Sequence, residues 1–326
     1  MTKKIYTAVA CAAWLAAAAG AAHAQSNVQM YGLIDLSAGQ SQAPGGVATK
    51  GIDSGKMTTS YIGFKGSEDL GGGLSANFAL EHFMRYDTGS AGRFDADAFW
   101  ARNANVGLSG NFGAVSLGRV TTSLFVQTLI FNPFGDSFGF SPSIRHYFTS
   151  GTTTGDTGWN DSVRYTSPRF GGATFSVHGA PGEGNGGRNA GASVLYFSGA
   201  MAGGLAWQKV EKGATVQDTT SWQLAGSYDF KTAKLFAQHG SVKNDSTGRS
   251  YDITGLGASM PVGGMGKLLA QWGQISPSTG AKRTTVSLGY DHDLSKRTDL
   301  YGVYMSDKIS GLSTGSNYGV GIRHRF

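Results

Sequence analysis

The stretch that decides the fold is residues 222–230, WQLAGSYDF, in which hydrophobic and polar side chains alternate. In an extended chain one face would carry Trp, Leu, Gly, Tyr and Phe, and the other Gln, Ala, Ser and Asp. A period of two residues is typical of a β-strand. The same period occurs in residues 173–179, 74–81 and 318–326. The sequence therefore predicts an all-β protein.

Segments of this kind recur along the whole chain. We predict sixteen strands, near residues 28–38, 58–67, 73–86, 95–109, 113–121, 159–168, 171–180, 190–199, 202–210, 219–229, 232–242, 250–261, 265–275, 282–291, 297–307 and 317–326. Many are about ten residues long, and a strand that crosses a membrane in a barrel needs about 9–11. The predicted connections alternate between short turns and longer loops. Outer-membrane barrels combine an even strand number with short periplasmic turns and long outer loops.

The composition favours many strands and tight turns. Glycine accounts for 51 of 326 residues and proline for only 7, which excludes collagen and proline-rich disorder. After residue 24 no segment approaches the roughly 20 consecutive apolar residues of a transmembrane helix. A closed barrel is the other structure that can cross a bilayer. The formal charge of +6 is not gathered into a basic stripe, so we expect no nucleic-acid partner.

The N-terminus has the three parts of a signal peptide. Lys3 and Lys4 form a positive region, residues 5–22 are apolar and rich in alanine, and residues 22–24 read Ala-His-Ala. Small residues in this arrangement are typical of a cleavage site. The sequence therefore predicts an exported protein.

Two domains follow from this reading, a signal peptide at residues 1–24 and a single β-barrel domain at residues 25–326. An uncleaved anchor and a lipoprotein modified at Cys11 are the alternatives. The cleavage site argues against the first, and the short apolar segment before Cys11 argues against the second. Cleavage would leave a mature chain without cysteine, which suits an oxidising compartment.

The longest predicted connection, residues 122–158, follows the fifth strand and is too apolar to extend into water. We expect it to fold into the interior of the barrel, because long connections without regular structure usually have a function. Its central segment provides the candidate constriction-loop residues Phe131, Asn132, Pro133, Phe134 and Gly135.

Several motifs, in order along the chain, are similar to those of a known family. They are residues 28–32 (VQMYG), 66–74 (GSEDLGGGL), 106–110 (VGLSG), 117–119 (LGR), 162–168 (SVRYTSP), 294–301 (LSKRTDLY) and 321–326 (GIRHRF). The chain thus resembles the Gram-negative general-diffusion porins, especially the β-proteobacterial type. The resemblance implies a homotrimer of sixteen-stranded transmembrane antiparallel barrels, each narrowed by a long third outer loop. It also implies that the terminal Phe326 is a signal for barrel assembly.

The function that the resemblance implies is a water-filled outer-membrane channel for passive diffusion of ions and small hydrophilic solutes. The implied partners are outer-membrane lipid, lipopolysaccharide and the barrel assembly machinery. We expect no cofactor, no metal ion and no catalytic residue. An enzyme or an adhesin built on a barrel is the alternative, and conductance in a planar bilayer would separate the channel from both.

In such porins, arginines on the wall face acids on the folded-in loop, and the opposed charges set selectivity at the constriction. By resemblance, Arg119 is the wall arginine and Asp136 the opposing acid. The chain departs from the family at Tyr61, where an arginine is frequent, and at Asn132, where an acid is usual. We expect a weakly polarised constriction with a mild preference for anions.

The orientation of Arg119 is open at this point, because it shares a strand face with Val115 and Leu117. Either this face looks inward beneath the loop, or a β-bulge intervenes. We favour the first, since the loop needs an apolar wall to pack against.

Three more charged residues are candidates for the constriction. Glu81 and Arg85 share the polar face of one strand, so they either line the pore or pair with each other. Arg145 lies near the end of the long loop, where a solvated charge is the favoured interpretation and a pore residue the alternative.

Overall fold

The structure is a computed structural model that describes residues 27–183, 187–211 and 216–326. The predicted signal peptide lies outside these residues. The strands are β1 (Asn27–Ser41), β2 (Thr49–Ser54), β3 (Tyr61–Gly71), β4 (Leu74–Arg85), β5 (Ser90–Ala91), β6 (Asn103–Gly110), β7 (Gly113–Thr121), β8 (Gly158–Thr166), β9 (Ala173–Ala180), β10 (Asn189–Ser198), β11 (Met201–Val210), β12 (Thr219–Asp229), β13 (Lys234–Asn244), β14 (Ser250–Val262), β15 (Gly266–Pro277), β16 (Arg283–Asp293), β17 (Thr298–Ile309) and β18 (Gly315–Arg325).

The strands close into one antiparallel barrel of sixteen positions. β18 pairs with β1, from Leu33 opposite Arg325 to Gln40 opposite Tyr318, and this seam joins the two ends of the sheet. β2 and β3 pair with successive parts of β1 and so share one position. β5 and β6 share a position beside β4 in the same way. The predicted sixteen-stranded barrel is confirmed.

The side chains are distributed with polar groups inside and apolar groups outside. In β12, Trp222 is 38% exposed and Leu224 is 58% exposed on the outer face. Their neighbours Gln223 and Ser227 are buried and face the interior. A hydrophobic outer surface with a polar interior is typical of a transmembrane barrel and is the reverse of a soluble protein.

The connections at the two ends of the barrel differ in length less than the sequence predicts. One end has only short turns, such as residues 72–73 and 263–265, in which glycines adopt the left-handed conformation. At the other end, residues 86–102 and 122–157 form long connections, but residues 310–314 form a short one. The predicted contrast thus holds for the first half of the barrel and is weak in the second.

The predicted strand at 95–109 begins too early, because β6 starts at Asn103. The segment before it packs on the barrel instead: the Phe99 ring stacks on His82 at 4.0 Å between centroids, with Trp100 at its edge. Alternation in these residues therefore reflects packing of a loop and not pairing of a strand.

The long connection contains two short helices, α1 (Ser123–Ile130) and α2 (Pro142–Phe148). The side chain of Thr122 caps the start of α1, and Ser141 caps α2 immediately before its proline. Such residues satisfy amide groups that have no partner within a helix. Within the described part of the chain, no helix has the length and hydropathy to cross a membrane.

Candidate functional site

Buried amide side chains attach the long connection, residues 122–157, to the inner wall. Gln127 of α1 donates to the main-chain oxygen of Gln223 at 2.7 Å, and Gln223 donates to Gln238 at 2.7 Å. Gln238 and Gln271 both donate to Ser143 of α2, Gln271 at 2.5 Å. The loop is thus bonded to β12, β13 and β15 on one side of the barrel.

Apolar contacts support the same attachment. Phe131 is fully buried against Ala202 and Ala225 of the wall. Phe134 and Phe140 belong to a cluster completed by wall and loop residues, namely Met57, Leu269, Tyr301, Val303 and Met305. Pro133 lies beside Gly257, where an added Cβ would come within 2.6 Å of the proline ring. The motif residues of the loop therefore hold it to the wall.

Asn132 stabilises the turn at the centre of the loop. Its amide donates to the main-chain oxygens of Thr128 and Gly135 at 2.8 Å each. Its oxygen accepts from the amide of Phe134 at 2.9 Å and the hydroxyl of Ser141 at 3.0 Å. An ionised carboxylate cannot donate, so an acid here would lose the first two bonds. Asn132 has a structural role, and Gly135 adopts the left-handed conformation beside it.

The described residues border two cavities between the loop and the rest of the wall. An outer vestibule of about 620 Å³ is bordered by Lys56, Arg85 and Arg145, among others. A deeper cavity of about 320 Å³ lies between the loop and strands β4 to β8. Arg93 and Phe138 border both cavities and mark the boundary between them. We refer to the second as the deep cavity.

The deep cavity has two chemically different sides. The loop contributes mainly apolar residues, and the wall contributes amides, hydroxyls and arginines. The loop residues are Phe125, Val126, Leu129, Asp136 and Phe138, and the polar residues of the opposite side include Arg93, Arg102, Asn103, Asn105, Ser116, Thr121 and Arg164.

The favoured orientation of Arg119 is wrong, because the face of β7 that it shares with Leu117 looks outward. The register of β7 against β8 shifts between Gly118 and Val120. Leu117 is 50% exposed on the outer surface, whereas Val120 is buried inside. The extra residue of this bulge lies on β8, because residue 119 alone faces residues 160 and 161, so the alternation continues along β7.

The guanidinium of Arg119 is held by groups at the bulge. It donates to the Ala101 carbonyl at 2.5 Å and to Asn160 at 2.6 Å, and it also bonds Asp156. Arg119 does not border either cavity described above. The structure thus does not bring Arg119 opposite Asp136.

Arg102, and not the predicted Arg119, is the arginine that lies beside Tyr61 and borders the deep cavity. Its guanidinium lies 4.0 Å from the Tyr61 ring centroid, a cation–π contact. It donates to Glu81 at 2.5 Å, and Tyr31 donates to the other oxygen of that carboxylate at 2.5 Å. Asn103 also donates to Glu81. Tyr61 therefore supports an arginine supplied by another part of the chain.

Sequence reasoning does not single out Arg102, because it places the residue inside the strand predicted at 95–109. Arg102 precedes the first residue of β6, so the alternation does not apply to it. Its position directly before the strand, next to the inward Asn103, is the signal that could have found it.

The other charged candidates have partners of their own. Glu81 and Arg85 do not pair with each other: Glu81 binds Arg102, and Arg85 donates to the exposed Asp95 at 2.7 Å. Arg145 lies 3.3 Å from the buried Asp307 of the wall. It borders the vestibule and is not the freely solvated charge that we favoured.

Asp136 lies on the loop and borders the deep cavity together with Arg102. Enclosure by the barrel raises the pKa of its carboxyl, and the charge of Arg102 opposes this effect. Arg102, rather than Arg119, is thus the main cation that acts on Asp136, with a smaller effect from Arg323.

A cluster of ion pairs joins two long connections at the outer end. Asp156 binds Arg93 at 2.8 Å and also binds Arg119, while Arg93 binds Asp97 at 2.8 Å. Burial would raise the pKa of Asp156, but the hydrogen bonds and charges of the two arginines outweigh it and lower that pKa to about 2. We call these four residues the Asp156 cluster.

The terminal Phe326 lies at the seam of the barrel. Its amide donates to the Gly32 carbonyl, and its carbonyl accepts from the Gly32 amide, both at 3.2 Å. Its ring lies against Gly32, where an added Cβ would come within 2.5 Å. Phe326 therefore extends the pairing of the last strand with the first.

A closed barrel with an apolar exterior, a polar interior and a loop that narrows but does not fill it defines a transmembrane diffusion channel. Within the described residues, no group of three or more His, Cys, Asp or Glu could hold a metal ion.

Comparison with known proteins agrees with this class. The family model described as "Gram-negative porin" matches residues 8–312. The outer membrane porin protein 32 of Delftia acidovorans is 34% identical over 95% of this chain and 97% of its own. An outer membrane porin protein of Bordetella pertussis is 27% identical over 97% and 98%, respectively.

Among solved structures, the anion-selective porin from Comamonas acidovorans superposes with a TM-score of 0.80 and 29% identity. The match covers 92% of this chain and all of that one. The chain belongs to the Gram-negative porin family. It resides in the outer membrane and forms a water-filled channel for passive diffusion of ions and small hydrophilic solutes.

Proposed function

We propose that this channel prefers small anions, and that Arg164 and Arg102 provide the preference at the deep cavity. The observation that supports the proposal is the position of Arg164 and the partners of its guanidinium. It borders the cavity, and its guanidinium donates to the Thr121 carbonyl at 3.1 Å. Within the described residues it has no carboxylate at salt-bridge distance, whereas Arg102 is paired with Glu81. The anion selectivity of the Comamonas structure supports the same direction.

Reversal potentials under a potassium chloride gradient test this proposal. We expect chloride to be more permeant than potassium, and Arg164→Gln to reduce the preference at least twofold. Arg169→Gln is the matched control, because Arg169 is exposed at the next turn and donates to the Phe197 carbonyl. A channel that favours potassium, or an Arg164→Gln variant with an unchanged preference, would contradict the proposal.

The assembly that we infer is a homotrimer in contact with lipopolysaccharide and inserted by the barrel assembly machinery. The exposed apolar outer face supports contact with lipid and with further copies. Electrophoresis without heating tests the trimer: a band at the mass of one chain would refute it. N-terminal sequencing tests the proposed signal peptide, for which the mature protein should begin at Gln25.

We also infer that the protein carries out no chemistry. Ser162 and His178 form a buried hydrogen bond at 2.9 Å, the one arrangement among the described residues that resembles part of a hydrolase site. The second ring nitrogen of His178 has no hydrogen-bond partner, so the orienting group of a triad is missing. Hydrolysis of phospholipid by purified protein would overturn this inference.

A further inference from the structure

The loop side of the deep cavity carries an apolar surface that simple passage of inorganic ions does not require. Phe125, Val126, Leu129 and Phe138 all border the cavity and are only partly buried. The rings of Phe125 and Phe138 are nearly parallel, with centroids 5.9 Å apart. Phe148 meets the edge of Phe125 at 5.3 Å and fixes its orientation. We call these four cavity residues the apolar lip.

The opposite side presents one cation whose charge is not balanced by a neighbouring acid. Arg102 is paired with Glu81, and Arg93 is paired with both Asp97 and Asp156. In the described part of the chain, the ion pairs do not include Arg164. Its recorded bond, to the Thr121 carbonyl, leaves most of its five donors available.

We propose that the deep cavity is a transient binding site for aromatic monocarboxylates. The carboxylate would bind Arg164, whose planar guanidinium can hold both oxygens. The ring would lie against the apolar lip, where aromatic rings stack favourably and displace water. The cavity volume of about 320 Å³ is sufficient for a small ligand. The proposal rests on the anion preference proposed above, because both depend on Arg164.

The remaining charges restrict the class of ligand. Asp136 borders the same cavity and would repel a second carboxylate when it is ionised. Glu81 pairs with the guanidinium of Arg102, so Arg102 adds positive charge to the cavity wall but is not free to bind a second carboxylate. A single carboxylate on an apolar body therefore fits the cavity better than a dicarboxylate or an inorganic anion.

Block of the chloride current tests the proposal. Single channels in a planar bilayer are measured with benzoate, acetate or benzyl alcohol added at equal concentration. We expect benzoate to reduce the chloride current saturably, with an apparent affinity at least fivefold higher than that of acetate. Benzyl alcohol, which lacks the charge, should have no effect. Equal effects of benzoate and acetate in the wild-type channel would overturn the proposal.

Two variants separate the two halves of the site. Arg164→Gln should abolish the block by benzoate, whereas Phe125→Ala should make benzoate as weak as acetate and preserve the chloride preference. Phe230→Ala is the matched control, since Phe230 is an aromatic residue exposed outside the cavity. If Phe125→Ala does not fold, Leu129→Ala removes part of the same lip. Selective block that survives loss of the lip would refute the proposal.

The two proposals can fail independently. If the wild-type channel, measured without benzoate, shows no preference for chloride over potassium, the proposed function itself is contradicted. A normal chloride preference combined with no discrimination between benzoate and acetate contradicts only the aromatic site.

Discussion

Tyr61 contributes to the pore as a platform for Arg102 and not as a charged group. The cation–π contact at 4.0 Å is worth roughly 0.5–1 kcal/mol at a partly exposed site. We predict that Tyr61→Leu lets the guanidinium move and changes the chloride-to-potassium permeability ratio about twofold, whereas Tyr61→Phe, which keeps the ring, has little effect. Reversal potentials measure both. Equal ratios in the two variants would show that the ring does not position Arg102.

Single residues were the least predictable part of this protein. The motif predicts Arg119 as a pore residue, but its side of β7 looks outward and its guanidinium bonds Ala101, Asp156 and Asn160. Asn132 stands where the family usually has an acid, and its hydrogen bonds make it the centre of a turn, a role that the motif alone does not predict. The contacts of Arg119 join distant parts of the chain, and those of Asn132 form within an irregular turn of the loop. Strand alternation contains information about neither. Asp136, predicted as the acid of the constriction loop, borders the deep cavity, where its neighbour is the unpredicted Arg102.

Gln223 of β12 holds the loop of residues 122–157 in position. This glutamine accepts from Gln127 and donates to Thr128 and Gln238. We predict that Gln223→Ala leaves those buried groups partly unpaired, at a cost of about 1–3 kcal/mol. The loop should then fluctuate and the open-channel current noise should increase. Gln274→Ala is the control, because the side chain of Gln274 bonds, among the described residues, to its wall neighbours Thr284 and Ser276. Equal noise in both variants would argue against the anchor.

The Asp156 cluster should keep the outer loops together over a wide pH range. A carboxyl whose folded pKa is depressed stabilises the fold above its unfolded pKa, near 3.9, and loses that contribution as the pH falls through the folded value. The folded pKa of Asp156 is about 2. We therefore predict that this cluster causes no change in conductance between pH 8 and pH 5, and that Asp156→Asn at pH 7 reproduces the loosened state of the wild type near pH 2. Conductance recorded across this range is the test. A transition between pH 5 and pH 8 that Asp156→Asn abolishes would contradict it.

Strands and loops differ in how far local sequence determines them. Each strand has one lipid-facing side and one interior side, so its own alternation reveals it, and the predicted positions agree closely with β7, β9 and β12. The inward folding of the long loop was expected from its apolar content. Its two helices and its amide bonds to β12, β13 and β15 could not be predicted, because their partners lie on distant strands.

At the scale of the whole molecule, the barrel exists only when β18 meets β1. Closure removes free sheet edges, which lipid cannot solvate. The register of this seam places the inward Asp35 opposite Arg323 and the outward Ile34 opposite His324, so the pattern of the sheet continues across it. The strand count and the inside-outside pattern were predictable because every strand repeats the same physical constraint.

Substitution of Phe326 can separate two processes, folding of the barrel and its delivery to the outer membrane. Its main-chain bonds to Gly32 survive substitution, so only the contact of the ring with Gly32 is lost in Phe326→Ala. We predict that Phe326→Ala refolded in detergent migrates in electrophoresis as a compact, folded band. The temperature at which heating abolishes this band should lie within a few degrees of the wild-type value. In cells, the amount of Phe326→Ala in the outer membrane should fall several-fold, because the proposed assembly signal is gone. Gly32→Ala is the opposite control: it crowds the ring and the Tyr61 carbonyl, so it should weaken the seam in both settings. A parallel fall of refolding and membrane level in Phe326→Ala would assign the residue to closure of the barrel rather than to recognition.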